Sequence, residues 1–286
     1  MNRTDRKERI MRIVFQLTAC VSILAVIMIC FFLFYSGVPV IFKIGPMKFF
    51  FGKVWKPNQD IYGIFPMIMG SIAVTALAAL IGVPTGILTA AFLAEFCPKK
   101  IYSFLKSALE LLAGIPSVVY GFFGLMVIVP GVRRLFGGSG SSWLSAGIVL
   151  GIMILPTIVS VSESSLRAVP RTYYEGSLAL GATHEHTVFS VMLPAARSGV
   201  MAGVVLGIGR AIGETMAVIM VEGNQAIMPR GLLKGLRTMT GNIVLEMGYA
   251  TDLHRGALIA TGVVLFLFIL VINLGFQLLK RKMNHE

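Results

Sequence analysis

An arginine and a glutamate inside an apolar stretch are the residues most able to do chemistry. Arg210 and Glu214 fall within a stretch from about Ser198 to Val221, which is long enough to cross a bilayer as a helix. An arginine at the centre of such a helix costs roughly 2.5–3.5 kcal/mol on insertion scales, so its side chain should face protein or water. Glu214 lies four residues further on, and this spacing predicts that both side chains share one helical face.

This predicted pair has two interpretations. In the first, Arg210 presents its planar, permanently charged guanidinium to an anion in a translocation path. Glu214 then holds the guanidinium when the path is empty, and its negative charge keeps anion binding weak enough for release. In the second, the two residues form a purely structural ion pair. We predict the first, and the second remains the alternative.

The other reactive residue types form no recognisable catalytic, cofactor or metal site. The sequence has no Gly-x-x-x-x-Gly-Lys-Ser/Thr loop, so we expect no ATP binding of the P-loop type. His184 and His186 lack the spacing of a zinc motif and have no nearby third ligand. The three cysteines form no Cys-x-x-Cys pair, and their odd number argues against a disulfide framework. We therefore expect no cofactor or metal in this chain, and a conduit in preference to an enzyme.

The composition is that of a membrane protein. Of the 286 residues, 56% are hydrophobic and 13% are charged, and the mean hydropathy is +0.83, whereas soluble domains contain about 25% charged residues. These values exclude an ordinary cytosolic enzyme, a disordered chain and a secreted disulfide scaffold. The net charge is +12, but most Lys and Arg residues flank apolar runs, where they indicate topology and not nucleic-acid binding.

Six apolar stretches are long enough to span a bilayer as helices. They run roughly over Ile13–Tyr35, Met67–Leu93, Ser103–Val129, Trp143–Val161, Ser198–Val221 and Gly256–Leu279. The third stretch contains Gly114-Ile115-Pro116, which predicts a break. An even number of spans places both termini on one side, and the larger number of Lys and Arg residues on that side predicts that it is the cytoplasm.

The segment of about 162–197, between the fourth and fifth spans, carries orderly helix boundaries. Thr172 and the glutamate three residues later match a capping box, which predicts a helix of about eight residues that ends at a left-handed Gly181. Thr183 is expected to cap a second short helix, closed by Pro194. Short helices are marginal alone, so we predict that this segment docks on a surface. A solvated connector is the alternative.

Two further patterns indicate packing and anchoring. Gly199, Gly203 and Gly207 recur every four residues and predict a smooth ridge that faces another helix and not lipid. The 27 residues from Ser36 to Tyr62 contain several lysines and aromatic residues, which is typical of an anchor at the membrane interface.

Three motifs give a resemblance to a known family. Glu175-Gly176-Ser177, then Gly181, then Val191-Met192-Leu193-Pro194 resembles the EAA loop of type I ABC importer permeases in its spacing throughout. The family has alanines where this chain has Gly176 and Ser177, and isoleucine where it has Val191. The stretches 114–121 and 209–218 are similar to phosphate-importer permeases, and the second is more like one of their two sister subunits. The resemblance begins at about Ile61.

The resemblance implies an all-α polytopic membrane protein with six transmembrane helices and the type I ABC importer permease fold. Residues 1–62 would form the cytoplasmic N-terminus, first helix and outer loop, and residues 63–286 would form the permease domain. The chain would be half of the pore of an ATP-driven phosphate importer in the inner membrane. ATP binding to a partner subunit would move the spanning helices relative to one another.

The implied partners are a second permease subunit, a dimer of ATPase subunits that binds ATP and Mg²⁺, and a phosphate-binding protein outside. The coupling residues would be Glu175, Gly181, Leu193 and Pro194, and the chain would contact lipid but no nucleic acid. Three alternatives stay open. They are a permease for another oxyanion such as sulfate, molybdate or phosphonate, an ion-coupled secondary transporter, and a membrane subunit that anchors an enzyme complex.

Overall fold

The structure is a computed structural model that describes residues 3–283, and its long elements are all α-helices, as the sequence predicts. The helices are α1 (Arg3–Ile44), α2 (Pro46–Phe51), α3 (Phe65–Ala91), α4 (Lys99–Gly114), α5 (Ser117–Phe123), α6 (Val129–Phe136), α7 (Trp143–Arg167), α8 (Arg171–Ala179), α9 (His184–Thr187), α10 (Leu193–Ala195), α11 (Arg197–Gly213), α12 (Met216–Ile219), α13 (Met239–Met247) and α14 (Asp252–Met283). Strands β1 (Trp55–Lys56) and β2 (Ile61–Tyr62) form one short antiparallel hairpin. The extreme termini, predicted to be cytoplasmic, lie outside the described residues.

Three five-residue π-helical turns extend neighbouring α-helices. They are Phe92–Phe96 after α3, Gly124–Ile128 between α5 and α6, and Val188–Met192 between α9 and α10. Turns of this kind are rare and often lie at functional sites. Two of the three, Phe92–Phe96 and Val188–Met192, lie where the spans meet the predicted docking segment.

Five continuous helical stretches in the described part of the chain are long and apolar enough to cross a membrane. They are Met11–Ile44, Phe65–Phe96, Ser117–Phe136, Trp143–Arg167 and Asp252–Leu278. A sixth is obtained when His184–Ala195 and Arg197–Gly213, which meet at an angle of 73°, are counted as one bent span. The structure therefore has the predicted six spans only when this bent pair is counted as one span. In the predicted topology, the bend lies at the cytoplasmic boundary.

The predicted third span, Ser103–Val129, is wrong in its limits. The helix α4 ends at Gly114, and Ile115 takes an extended conformation (φ −68°, ψ 128°) before Pro116, as the residue before a proline tends to do. The spanning stretch then runs from Ser117 to Phe136. α4 is a separate helix with no fully buried side chain.

Helix α7 lies at the centre of the bundle and packs against both α3 and α11. Its side chains Met153, Ile154 and Ile158 are completely buried. Glycines on the neighbouring helices permit this close approach, because a Cβ atom at Gly82 or at Gly86 would lie within 2.8 Å of an α7 isoleucine side chain.

The glycine ridge of α11 faces α7. A Cβ atom at Gly199 would collide with Ser165, and one at Gly203 would lie 3.1 Å from Ser162 Oγ. At Gly207 the nearest atom would be Ile158 Cγ1, at 2.7 Å. All three glycines thus lie against one helix and not towards lipid, which is the packing that the four-residue spacing predicts.

The two ends of the bundle are closed by different elements. The end called here the α8 end carries α8, α9 and α10, which pack on the last turns of α3 and α7. The opposite end, called the hairpin end, carries α2, the β-hairpin and α13, which surround buried Phe49, Trp55 and Ile64. Helix α1 packs along α14, and Gly37 and Gly256 allow the contact.

We expect Gly203→Leu to destabilise the protein, because the added side chain overlaps with Ser162 and Val161 of α7, and overpacking of this kind costs about 1–3 kcal/mol. Gly209→Leu is the matched control, since nothing lies within 4 Å of a Cβ atom at Gly209. The measurement is the melting temperature of both purified variants. Equal melting temperatures would contradict the assigned face.

Candidate functional site

The chain breaks between the two residues that the sequence predicts to pair. Helix α11 ends at Gly213, and Glu214 is extended (φ −69°, ψ 136°) before the short helix α12. The predicted continuous helix to Val221 is therefore wrong, and Glu214 does not lie one turn beyond Arg210 on the same face. No ion pair joins these two residues among those that the structure describes.

Arg210 and Glu214 have separate partners. Arg210 is half-buried, and its Nη1 donates to Thr157 Oγ1 of α7 at 3.4 Å. The carboxylate of Glu214 accepts from the backbone N–H of Ala217 at 3.1 Å, and its carbonyl accepts from Thr240 Oγ1 at 3.0 Å. The backbone of the α12 turn and the start of α13 therefore fix Glu214, whereas Arg210 is hydrogen-bonded to a neutral hydroxyl.

Residues 220–238 fold back over the start of α7 after the break. The backbone N–H groups of Ser142, Trp143 and Leu144 donate to carbonyls of Val221, Lys234 and Leu232. Gly223 (φ +82°) and Asn224 (φ 54°) make the turn in the left-handed region. These bonds satisfy backbone groups of a non-helical stretch that would otherwise lack hydrogen-bond partners.

Glu222 is a fully buried carboxyl group in this folded-back stretch, outside the membrane-spanning helices. Its Oε2 accepts from the backbone N–H of Thr238 at 3.1 Å, and its Oε1 has no partner among the described residues. Burial raises the pKa of Glu222 to about 8, and the hydrogen bonds from Thr238 and the charge of Arg237 oppose this rise. The group is therefore mostly protonated at neutral pH.

A second buried carboxylate, Glu246, fastens the hairpin end. It accepts from Arg237 Nη1 at 2.6 Å, from Trp55 Nε1 at 2.8 Å and hydrogen-bonds with His254 Nε2 at 2.8 Å. These partners come from the hairpin, the folded-back stretch and α14. Sequence reasoning missed this cluster, because its members are far apart in the chain.

At the α8 end, the boundaries of α8 agree only partly with prediction. The N-cap position is Pro170 and has no side-chain cap, so the predicted capping box at Thr172 is wrong. The reason is that α8 begins immediately after Pro170, which places Thr172 within its first turn. Gly181 is left-handed (φ +88°) and donates to Leu178 O at 2.9 Å, as predicted.

The second short helix has the predicted beginning but not the predicted end. Thr183 Oγ1 accepts from the backbone N–H of His186 at 3.3 Å, so Thr183 is the N-cap. The helical path then continues past Pro194 to Ala195, because the π-helical turn Val188–Met192 changes the hydrogen-bond register immediately before the proline. The chain bends only at Ala196.

The α8–α10 segment is docked on the end of α3. Arg171 Nη1 donates to the buried carboxylate of Glu95 at 2.8 Å, and the ring of Phe96 lies 4.5 Å from that of His184. Tyr174 OH is 2.8 Å from His184 Nδ1 and ties α8 to α9. These contacts favour the docked segment over a solvated connector.

The predicted coupling residues lie mostly on the outer surface of this segment. Glu175, Gly181 and Pro194 are exposed, and Leu193 packs partly against the core beneath. Leu180, which the sequence analysis did not single out, is a leucine with 91% of its surface exposed. Tyr173 and Leu178 of the same segment are exposed as well, so its surface carries several large apolar or aromatic side chains.

A buried carboxylate on α7 holds the α8 end together. Glu163 accepts from Tyr102 OH at 2.6 Å, from Lys106 Nζ at 2.7 Å and from Arg167 Nε at 2.9 Å. Arg167 also donates to Leu93 O at 2.8 Å. This cluster joins α4, α7 and the π-helical turn after α3. Sequence reasoning missed this cluster, because Tyr102 and Lys106 are about 60 residues from Glu163 in the chain and no local pattern links them.

The comparisons with known proteins concern most of the chain. The sequence model of the family described as binding-protein-dependent transport system inner membrane component matches residues 82–285. The probable ABC transporter permease YqgH of Bacillus subtilis strain 168 is 42% identical over 90% of this chain and 87% of its own length.

Phosphate transport permeases are also similar. The phosphate transport system permease PstC of Xylella fastidiosa strain 9a5c is 38% identical over 77% of this chain and 74% of its own. The probable PstC of Methanocaldococcus jannaschii is 33% identical over 91% of this chain and 89% of its own.

Two solved structures share the fold. The inward-facing MetNI methionine ABC transporter superposes with a TM-score of 0.61 at 19% identity, over 80% of this chain and 99% of that one. A bacterial alginate ABC transporter gives a TM-score of 0.59 at 16% identity, over 95% and 97% of the two chains. These similarities concern the architecture alone.

We expect the thermal stability to fall as pH rises between about 5 and about 8, because the folded state keeps a proton on Glu222 that the unfolded chain releases near the ordinary glutamate pKa of 4.5. Glu222→Gln should remove this contribution and give the variant the higher melting temperature above pH 8. Exposed Glu175→Gln is the control. A pH profile that Glu222→Gln leaves unchanged would contradict the assignment.

Proposed function

Because the chain belongs to the family of binding-protein-dependent transport system inner membrane components, we propose that it is a permease subunit of an ATP-driven importer of inorganic phosphate. Its bundle would form half of the translocation pore. The similarity to curated phosphate permeases supports the substrate. Family membership also argues against an ion-coupled secondary transporter or an enzyme anchor.

The observation that carries the proposal is the position of Arg210. It lies in the last turn of a helix that is broken at Gly213, and its guanidinium donates to the Thr157 hydroxyl and not to a carboxylate. A guanidinium presents several N–H groups in a fixed fork that matches the oxygens of phosphate. Arg210 thus retains both the charge and the free donors that an oxyanion requires.

The role of Glu214 differs from the one inferred from the sequence. Its carboxylate is hydrogen-bonded to the N–H of Ala217 at the start of α12, so it does not neutralise Arg210 directly. Glu214 follows the arginine by four residues in the chain, and a negative charge beside the path would still limit how tightly an anion binds, because a transport path must release its ion. From this fixed position, the charge of Glu214 promotes release of the anion.

The proposed assembly places a second permease beside this chain, a phosphate-binding protein outside and a dimer of ATPase subunits beneath the α8–α10 segment. ATP and Mg²⁺ would bind to the ATPase partner. Tyr173, Leu178 and Leu180 of that segment are exposed apolar residues and are suited to a cleft on a partner. Arg171–Glu95 and the Glu163 cluster would then transmit a displacement of α8 to α3 and α7, which gives alternating access.

The main test is uptake of labelled phosphate by proteoliposomes that contain the full complex. Arg210→Gln should lower uptake at least about tenfold, because charge-assisted hydrogen bonds to the anion are lost, while the complex still assembles. Arg210→Lys should restore only part of the activity, because a point charge lacks the fork. The control is Arg134→Gln, a change of an exposed arginine at the hairpin end.

Two results of this test would contradict the proposal. Normal uptake by Arg210→Gln would remove the arginine from the path. A preference for sulfate, molybdate or phosphonate in competition would assign the pore to another oxyanion. Loss of assembly in step with loss of uptake would instead support a structural arginine.

A second prediction concerns the ATPase contact. In a background with Cys20, Cys30 and Cys97 replaced by serine, Leu180→Cys should form a crosslink to the ATPase subunit, since Leu180 is 91% exposed on the α8–α10 segment. Leu135→Cys is the matched control, because Leu135 is similarly exposed but lies at the hairpin end. A Leu180→Cys variant that reacts only with reagents outside the cell would refute both the contact and the topology.

A further inference from the structure

A basic cavity of about 520 Å³ lies at the hairpin end, where α1 gives way to α2. Three lysines, Lys43, Lys48 and Lys53, line it together with a single carboxylate, Asp60. The volume is within the range of small-molecule sites, about 300–1,000 Å³. The lining therefore carries more positive than negative charge in a space large enough for a polar headgroup.

The lysines of this cavity are available to a ligand. None of the three forms an ion pair with any other residue in the described range 3–283, and all are exposed. Asp60, in contrast, accepts a hydrogen bond from Tyr62 OH at 3.1 Å. The acidic group is thus partly engaged, whereas the ammonium groups are not.

The surroundings of the cavity place it at a membrane surface. It begins at the end of the spanning stretch Met11–Ile44, and Phe42, Met47 and Phe51 are exposed beside it. Exposed aromatic and apolar side chains next to lysines are the pattern of the lipid–water interface. Met47 and Phe51 belong to α2, so this short helix carries apolar side chains beside the charged Lys48.

We propose that this cavity binds the phosphodiester headgroup of an anionic phospholipid, with Lys43, Lys48 and Lys53 around the phosphate and Phe42, Met47 and Phe51 beside the acyl chains. The ammonium groups act as point charges for the phosphate oxygens. This site is separate from the proposed transport path and does not require phosphate to be the transported ion. A free phosphate ion shares the headgroup chemistry, but it would make no use of the apolar flank.

The test is a titration of the purified full chain in mild detergent, with bound lipid counted by native mass spectrometry. The probes are phosphatidylglycerol, phosphatidylcholine with the same acyl chains, and inorganic phosphate. We expect phosphatidylglycerol to bind more tightly than phosphatidylcholine. Each lysine removed should weaken phosphatidylglycerol binding about fivefold, so Lys48→Gln with Lys53→Gln should weaken it about 25-fold.

Lys56→Gln is the matched control, because Lys56 is an exposed lysine of the same outer loop that lines a different cavity. It should bind phosphatidylglycerol as the unchanged protein does, and equal melting temperatures should show that all variants are folded. Equal binding of the two lipids, or an equal loss in Lys56→Gln, would overturn the proposal. Tight binding of inorganic phosphate alone would reassign the cavity to the free anion. If Lys48→Gln with Lys53→Gln left lipid binding unchanged but impaired docking of the phosphate-binding protein, the cavity would be reassigned to a protein contact.

Discussion

Close contact between α7 and its two neighbours is the constraint on which the rest of the structure depends. Lipid is as apolar as the side chains of a spanning helix, so helices in a membrane associate through packing and hydrogen bonds more than through the hydrophobic effect. Glycines on α3 and α11 supply that packing here, at Gly82 and Gly207 for example. Helix α7 also carries Thr157, which accepts a hydrogen bond from Arg210, and Glu163, which binds Lys106 of α4. The position of α7 therefore fixes both the candidate path and the α8 end.

Much of this arrangement was predictable because it depends on local pattern. The spacing of Gly199, Gly203 and Gly207 predicts a helix contact whatever the partner, and the lack of a Cβ atom allows Gly181 to take a left-handed turn at little cost. Thr183 caps its helix through a bond to a residue three positions away. In each case the residues that determine the structure are within one or two turns of each other.

The errors arose where distant residues decide the conformation. Gly213 lowers helix propensity by only about 1 kcal/mol, so an apolar stretch that contains it still looks continuous. The break is stabilised by the bond from Thr240 to the Glu214 carbonyl, 26 residues away, and no local pattern reveals it. Glu246 likewise gathers Trp55, Arg237 and His254. Such clusters are defined only by the tertiary structure.

The break after Gly213 also changes which carboxylates are paired with basic residues. Glu163, Glu95 and Glu246 each have a basic partner within 3 Å, and burial keeps Glu222 mostly neutral at pH 7. A continuous helix would have added Glu214 to this set by placing it against Arg210, and the arginine charge would then have been compensated within the protein. Because the chain turns after Gly213, the carboxylate binds the backbone of α12. Arg210 therefore keeps its charge without a carboxylate partner among the described residues, and the Thr157 hydroxyl is its hydrogen-bond acceptor.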